Sequence, residues 1–373
     1  MSPPNILFIM SDDHTTQAIG VYGSRLASLN PTPVIDRLAR DGMRFDRVFC
    51  HNSICTPSRA SILTGQYSQT NGVLDLDGRL PPERQYLAIE MKKAGYQSAM
   101  IGKWHLTEEP AAFDYYCVLP GQGTYFNPEF RIRGENPWPR NVVTKEGKHS
   151  SDAITDISLE WLRNGRDKSK PFFLMHHFKA PHDMFQNAPR YNHYLENVHI
   201  PEPDNLFDPP AGSPGSAGLG SGLGRKHAPW RLGARLGTDD SLPEPDYVRA
   251  CYQEYLKRYL RCVKGVDDNI QRLLDYLEEM GELDNTVIIY TGDQGFLLGE
   301  HDLMDKRWMF EESMRMPFIM HWPAGIKPGQ VNDWLINNTD FAPTILELAG
   351  LQTTPDYMQG RSFAAALTGG GKP

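Results

Sequence analysis

Two pairs of oxygen-bearing side chains lie far apart in the sequence, and each pair closely follows an apolar run. Asp12 and Asp13 form the first pair, and Asp293 and Gln294 form the second. Carboxylate and amide oxygens suit calcium or magnesium better than zinc. Either pair alone is better explained as a cap for the helix that follows it. The two pairs together, on either side of a cysteine motif, favour a shared metal site.

Cys55 opens the motif Cys-Thr-Pro-Ser-Arg, which ends at Arg59. Pro57 suits the first turn of a helix, so we expect residue 55 at a helix N-terminus, where negative charge is favoured. The other cysteines are expected to be free thiols, because the chain has no CxxC pair. Cys251 and Cys262 lie about 16 Å apart on one predicted helix, too far for a disulfide.

Strands and helices alternate in the predicted secondary structure. Short apolar runs predict buried strands, and apolar residues at gaps of three and four predict helices. This alternation favours an α/β fold in which helices cover a largely parallel sheet. The strands are expected at 5–10, 98–101, 172–176, 286–291 and 318–321, and the helices at 33–42, 58–64, 87–94, 152–163, 247–280 and 340–349.

In open α/β sheets, ligands bind beyond the carboxyl ends of the strands. Lys103 and His105 follow one predicted strand, just as the two oxygen-bearing pairs follow theirs. His182 lies a few residues after another predicted strand. We therefore expect these polar side chains to meet at one edge of the sheet.

The segment 207–243 differs in composition from the rest of the chain. Between 209 and 224 it consists mostly of glycine, proline and serine, with almost no core-forming residues. This composition predicts a mobile surface loop, which is either an insertion or a flap over the site. We expect it to interrupt a single catalytic domain that spans 1–373.

Composition excludes some classes of protein. The 373-residue chain has a net charge of −8, which argues against nucleic acid as a partner. No apolar run approaches the roughly 20 residues that a membrane helix needs, so no membrane is expected as a partner. The first residues show no basic region followed by a long apolar stretch, so no signal peptide is visible. As it stands, the sequence predicts a cytoplasmic protein, or a periplasmic or secreted one if a leader was removed.

The cysteine motif, continued by Ala-Ser-Ile-Leu-Thr-Gly, resembles the signature of the type I sulfatases, formylglycine-dependent members of the alkaline phosphatase superfamily. The blocks 5–23, 102–106, 180–182 and 290–306 are similar to further blocks of that family, in the same order. The resemblance implies a three-layer α/β/α sandwich and a sulfuric ester hydrolase activity. It also implies calcium at the metal site and a maturation enzyme that oxidises Cys55 to formylglycine.

The resemblance also implies a mechanism. In the family, the hydrated aldehyde has two hydroxyl groups; one attacks sulfur, and the second later allows sulfate to be eliminated. Gln294 departs from the family's usual Asn or His, although its amide also offers a carbonyl oxygen. By resemblance, Cys55 is the nucleophile and a metal ligand, Arg59 holds its oxygens, Lys103 and Lys306 contact the sulfate, His105 is the base that releases sulfate, and His182 is the acid that protonates the leaving group.

The substrate is expected to be a sulfated carbohydrate. The segments 113–130 and 264–269 resemble sulfatases that act on glycans, notably N-acetylglucosamine-6-sulfatases. Tyr125 either stacks on a sugar face or packs its loop against the sheet. Two alternatives stay open: a phosphonate monoester or phosphodiester hydrolase of the same superfamily, and a non-catalytic anion-binding protein with an unmodified Cys55. The family's C-terminal antiparallel subdomain is expected to be absent or truncated, because the chain ends soon after 359–363.

Overall fold

The computed structural model describes residues 3–208, 223 and 232–369. Its centre is an 11-stranded sheet, and two further short strands form a separate pair. The described strands are Asn5–Asp12 (β1), Met43–Phe49 (β2), Gln97–Lys103 (β3), Tyr115–Leu119 (β4), Glu129–Ile132 (β5), Val142–Thr144 (β6), Phe172–Pro181 (β7), Thr286–Gly292 (β8), Leu297–Leu298 (β9), Met304–Asp305 (β10), Arg315–His321 (β11), Gln330–Asn332 (β12) and Ile336–Asn337 (β13).

The middle of the sheet is parallel. The strand order is β12-β2-β11-β8-β1-β7-β3-β4-β5-β6, and β13 also pairs with β2. β1 pairs in parallel with β7 and β8, and β3 pairs in parallel with β7 and β4. β11 is antiparallel to β8 and β2, and β5 is antiparallel to β4 and β6. The prediction of a largely parallel sheet is confirmed, with antiparallel pairs toward both edges.

Helices cover both faces of this sheet. The described α-helices are Pro33–Arg40 (α1), Cys55–Thr64 (α2), Ser68–Asn71 (α3), Tyr86–Lys93 (α4), Ser150–Glu160 (α5), Leu232–Leu236 (α6), Glu244–Glu279 (α7), Glu311–Met314 (α8) and Phe341–Leu348 (α9). Because side chains alternate along a strand, Leu7 and Ile9 of β1 pack with α1, α5 and α7, whereas Phe8 packs with α2, α4 and α9. The predicted three-layer α/β/α sandwich is therefore confirmed.

The longest described helix, α7, runs for 36 residues along one face of the sheet. Its apolar residues recur at helical spacing, as predicted for 247–280, and Gly265 does not interrupt it. Tyr255 and Tyr259 lie on its buried side. This helix therefore brings the hydroxyl of Tyr259 to the carbonyl of Asp13, just beyond the end of β1, whereas the hydroxyl of Tyr255 donates to the carbonyl of Leu297.

The central strands extend further than their apolar runs predicted. β1 continues to Asp12, β3 continues to Lys103, and β7 continues to Pro181. Asp12 and Lys103 are fully buried although both are charged. Charged side chains rarely lie fully buried unless they are paired, so these strand ends already indicate a polar centre.

The predicted loop 207–243 lies partly outside the described residues, which omit 209–222 and 224–231. Near its end the chain is helical, because α6 forms and buries Leu232 and Leu236. Arg258 of α7 donates a hydrogen bond to the carbonyl of Leu236 at 3.0 Å. This part of the segment is thus a packed helix rather than a loop.

Two smaller expectations concern helices and cysteines. The five cysteines are free and buried, which confirms the expectation of free thiols for the four that lie outside the motif at Cys55. Among the helices of the described ranges, none has both the length and the apolar character needed to cross a membrane.

Candidate active site

Three carboxylates meet where β1 and β8 end. Asp12 is the last residue of β1, Asp13 follows it, and Asp293 directly follows β8. The backbone N–H of Asp13 donates to Asp293 Oδ1 at 3.0 Å. One oxygen of each carboxylate lies within 4.8 Å of the others, and all three residues are buried. The parallel pairing of β1 with β8 thus joins two sequence-distant acidic groups.

The charges of this cluster fit a divalent cation. Burial raises the pKa of Asp13 well above its usual value and raises that of Asp293 to about 6, and in both cases the neighbouring Asp12 adds to the effect. Gln294 donates through its Nε2 to Asp13, and its Oε1 is buried without a hydrogen-bond partner in the described part of the chain. A calcium or magnesium ion would meet the carboxylates and this unpaired amide oxygen together.

Cys55 is the first residue of α2 and lies beside the acidic cluster. Its Sγ donates to Asp12 Oδ1 at 3.4 Å, and the side chain is buried. Ligand atoms of Cys55, Asp12 and His182 lie within 4.8 Å of one another. Burial, with the adjacent Asp12, raises the pKa of the Cys55 thiol well above its usual value. An unmodified thiol here stays protonated and is a weak nucleophile.

Three cations oppose the three carboxylates. Arg59 lies one turn after Cys55 and contacts Asp293 Oδ2 through Nη2 at 2.9 Å. Lys103 pairs with Asp12, and Lys306 Nζ lies 2.6 Å from Asp13 Oδ1. All three cations are buried. The protein charges of the site therefore nearly balance, and a divalent cation would leave a positive centre suited to an anionic ester. The charged residues of the site are the cations Arg59, Lys103 and Lys306 and the carboxylates Asp12, Asp13 and Asp293.

Both predicted catalytic histidines reach the same centre. His105 follows β3 in the left-handed region (φ 54°), and its Nδ1 is buried without a partner among the described residues. Burial and the nearby Lys103 lower the pKa of His105 to about 2. His182 Nε2 lies 3.7 Å from Asp13 Oδ2, and burial followed by Lys103 lowers the pKa of His182 to about 4. Without a bound anion, both imidazoles are neutral near pH 7.

Several supporting residues were not predicted as part of the site. Tyr259 of α7 donates its hydroxyl hydrogen to the Asp13 carbonyl at 2.6 Å. Gln122 Oε1 accepts from Lys103 Nζ at 2.5 Å. The sequence offered one signal for Tyr259, because the hydroxyl of a buried tyrosine usually finds a partner.

Tyr125 and the core residue His176 have structural roles. Tyr125 is buried, stacks on His149 and donates its hydroxyl hydrogen to the carbonyl of His182, so it packs its loop rather than offering a sugar platform. His176 lies 2.8 Å from the hydroxyl of Ser158, within the core.

An α/β sandwich with a buried acidic centre, a cysteine at a helix start and three converging cations defines a hydrolase site for anionic esters. The Sulfatase family model matches residues 4–351, and the chain therefore belongs to the sulfatase family. The named relatives in this family are sulfuric ester hydrolases.

Several relatives found by sequence are sulfatases named for N-acetylglucosamine 6-sulfate. An N-acetylglucosamine-6-O-sulfatase of Bacteroides thetaiotaomicron is 40% identical over 413 residues, covering 99% of this chain and 72% of that protein. N-acetylglucosamine-6-sulfatases of Capra hircus and Homo sapiens are each 29% identical over 98% of this chain, which spans 64% of their length.

Solved structures share the fold. One, bound to its substrate D-glucosamine-2-N,6-O-disulfate, has a TM-score of 0.88 and 39% identity, covering 99% of this chain and 81% of that one. A phosphonate monoester hydrolase from Silicibacter pomeroyi has a TM-score of 0.73 and 24% identity, covering 99% of this chain and 77% of that one. The second likeness shows a common fold and nothing beyond it.

Proposed function

We propose that the protein removes sulfate from carbohydrates, with a 6-O-sulfated glucosamine or N-acetylglucosamine unit as its substrate. The relatives at 40% and 29% identity are named for N-acetylglucosamine 6-sulfate, and the similar solved structure holds a 6-O-sulfated glucosamine. These proteins span more than this chain, so the substrate rests on similarity combined with the site described above.

One observation carries the proposal. The side chain of Cys55 lies within one small cluster that also contains Asp12 and His182. A buried thiol of raised pKa has no evident use there as a thiolate. Converted to formylglycine by a maturation enzyme, residue 55 would supply, in its hydrated form, one hydroxyl to attack sulfur and a second to release sulfate.

The metal would be held by Asp12, Asp13, Asp293 and Gln294, together with an oxygen on residue 55. Calcium suits this all-oxygen donor set, and it would neutralise the repulsion among the three carboxylates. Its chemistry would be to stabilise negative charge on the attacking oxygen.

The remaining residues bind the ester and move protons. Lys103 and Lys306 would contact the sulfate oxygens, and Arg59 would hold the oxygens of residue 55. A bound sulfate raises the pKa of His182, because an anion favours the imidazolium. His182 would then give its Nε2 proton to the leaving oxygen as the S–O bond breaks. His105, neutral and with its Nδ1 unpaired among the described residues, would accept the proton whose removal releases sulfate.

The test is to produce the protein together with a formylglycine-generating enzyme and to analyse the peptide that contains residue 55 by mass spectrometry. We expect an aldehyde at residue 55 and turnover of N-acetylglucosamine 6-sulfate with a kcat/KM above that for 4-nitrophenyl sulfate, because sugar contacts add binding energy in the transition state. Cys55→Ala provides the matched inactive control.

Two outcomes would replace this proposal. A large preference for an aryl phosphonate over every sulfate ester would make the protein a phosphonate hydrolase. Sulfate binding without turnover, with residue 55 still an unmodified thiol, would make it an anion-binding protein.

A further inference from the structure

Arg235 is not one of the residues that meet at the metal centre. It is connected through Asp183 to His182, which reaches that centre. It belongs to α6, the short helix that ends the glycine- and proline-rich segment. Its Nη2 donates to Asp183 Oδ2 at 2.9 Å. Asp183 in turn lies beside His182, with its Oδ1 3.0 Å from His182 Nδ1. One carboxylate therefore bridges a guanidinium and an imidazole.

Two acceptors of Asp183, its carboxylate and its backbone carbonyl, lie at the same nitrogen of His182. His182 Nδ1 also lies 2.8 Å from the backbone carbonyl oxygen of Asp183. A carbonyl oxygen accepts and cannot donate, so Nδ1 must be the protonated nitrogen. The opposite nitrogen, Nε2, is then directed toward Asp13 and the reacting centre, where it lies 3.7 Å from Asp13 Oδ2.

Asp183 is held as a carboxylate by its two partners. Burial would raise its pKa, but the hydrogen bonds from His182 and Arg235 outweigh burial and leave the pKa of Asp183 below its usual value. Arg235 and Asp183 are each about 30% exposed in their side chains (30% and 31%). Such an ion pair adds little to overall stability. Its effect is to hold the Asp183 carboxylate in place beside His182.

The helix that carries Arg235 is itself anchored. Leu232 and Leu236 are buried against α7, and Arg258 donates to the carbonyl of Leu236 at 3.0 Å. The backbone N–H of Thr238 donates to the carbonyl of Gly233 at 2.8 Å, closing the end of the helix. The guanidinium of Arg235 thus approaches Asp183 from a fixed support.

We propose that Arg235 is a positioning residue, which acts through Asp183 to orient His182 for protonation of the leaving oxygen. The inference rests on the proposed function, because it takes His182 as the acid. In that step the S–O bond breaks, its electron pair stays on the leaving oxygen, and the Nε2 proton of protonated His182 passes to that oxygen. The products of the transfer are the alcohol and a neutral imidazole.

The dependence on the leaving group separates this role from a structural one. An aryl sulfate leaves as a stabilised phenolate and needs little help from an acid, whereas a sugar hydroxyl leaves poorly without a proton. Arg235→Gln should therefore lower kcat for N-acetylglucosamine 6-sulfate by on the order of tenfold, as loss of an outer partner of a functional histidine commonly does. The variant should change kcat for 4-nitrophenyl sulfate by less than about twofold, and Arg235→Lys should recover part of the loss.

The control is Arg190→Gln. Arg190 makes a similar pair with Asp152, at 2.6 Å, but that carboxylate bridges Arg190 to Asn269 instead of a histidine. An equal loss on both substrates would show general damage and overturn the proposal. A rise in KM for the sugar ester at unchanged kcat would make Arg235 a substrate-binding residue, which also overturns it.

A measurement without substrate keeps the two proposals distinguishable. Nitrogen-15 NMR of histidine-labelled protein should show His182 protonated at Nδ1 in the native chain, with a shifted His182 Nδ1 signal in Arg235→Gln, because the Asp183 carboxylate beside that nitrogen loses its second partner. If the native enzyme hydrolyses neither sulfate ester, the proposed function fails and this spectrum decides the positioning role alone. An unchanged His182 signal in Arg235→Gln would refute that role.

Discussion

Replacing Arg59 by lysine keeps the charge of this side chain but removes its forked geometry. Arg59 is 2% exposed and makes three charged hydrogen bonds. Its Nε and Nη2 donate to Asp293 Oδ2 at 3.1 and 2.9 Å, and its Nη1 donates to the carbonyl of Lys103 at 2.7 Å. The guanidinium therefore ties the end of β3 to the acidic residue that follows β8.

A lysine ammonium is a single point donor and cannot span these acceptors as the guanidinium does. If two of the three charged hydrogen bonds are lost, each worth about 1.5–3 kcal/mol, the change costs about 3–6 kcal/mol. At about 1.4 kcal/mol per factor of ten, even the lower figure corresponds to roughly a 100-fold fall in kcat/KM if it appears in the transition state. We therefore expect Arg59→Lys to lower kcat/KM at least about 100-fold.

The assay is the kcat/KM of matured protein on N-acetylglucosamine 6-sulfate and on 4-nitrophenyl sulfate, with circular dichroism as the measure of folding. Arg44→Lys is the matched control, because Arg44 makes a comparable fork with Asp46, at 2.7 and 3.2 Å, on β2. Activity of a folded Arg59→Lys protein within about threefold of the native value would refute the reasoning that geometry, rather than charge alone, matters at this position.

Three further predictions concern the metal, a supporting tyrosine and a buried acid. Chelation should abolish turnover and calcium should restore it in the native protein but not in Asp293→Ala; full activity after exhaustive chelation contradicts the metal site. Tyr259→Phe should lower the free energy of unfolding in urea by about 1–3 kcal/mol, because the Asp13 carbonyl and the Thr15 N–H lose a buried partner; an unchanged midpoint would refute this. Burial raises the pKa of Asp267 to about 7 in the folded chain. The contribution of Asp267 to stability is therefore greatest at low pH. It is lost as pH rises from about 4 through 7, by up to about 4 kcal/mol. Asp267→Asn should lack this decline between about pH 4 and pH 7, and identical pH dependence in both proteins would contradict it.

The strands that build the sheet could be predicted from the sequence because burial on both faces leaves a continuous apolar run. The run that begins at Asn5 is such a case, and all eight residues of β1 are buried. The cysteine motif could also be recognised from local sequence. Cys55 and Arg59 are one helical turn apart, so helix geometry alone places them on the same side of α2. Local pattern therefore determined the fold class and the helix that carries Cys55.

The ends of those strands were decided only by the tertiary structure. The sequence predicted Lys103 as a polar residue beyond the end of an apolar strand. In the structure it lies inside β3 and is fully buried, because Asp12 of another strand neutralises it. Arg235 was assigned to a loop by composition, although it lies on a packed helix and contacts Asp183. A buried charge is stable only beside its partner, and a sequence does not show which distant residue that partner is until the strands are paired.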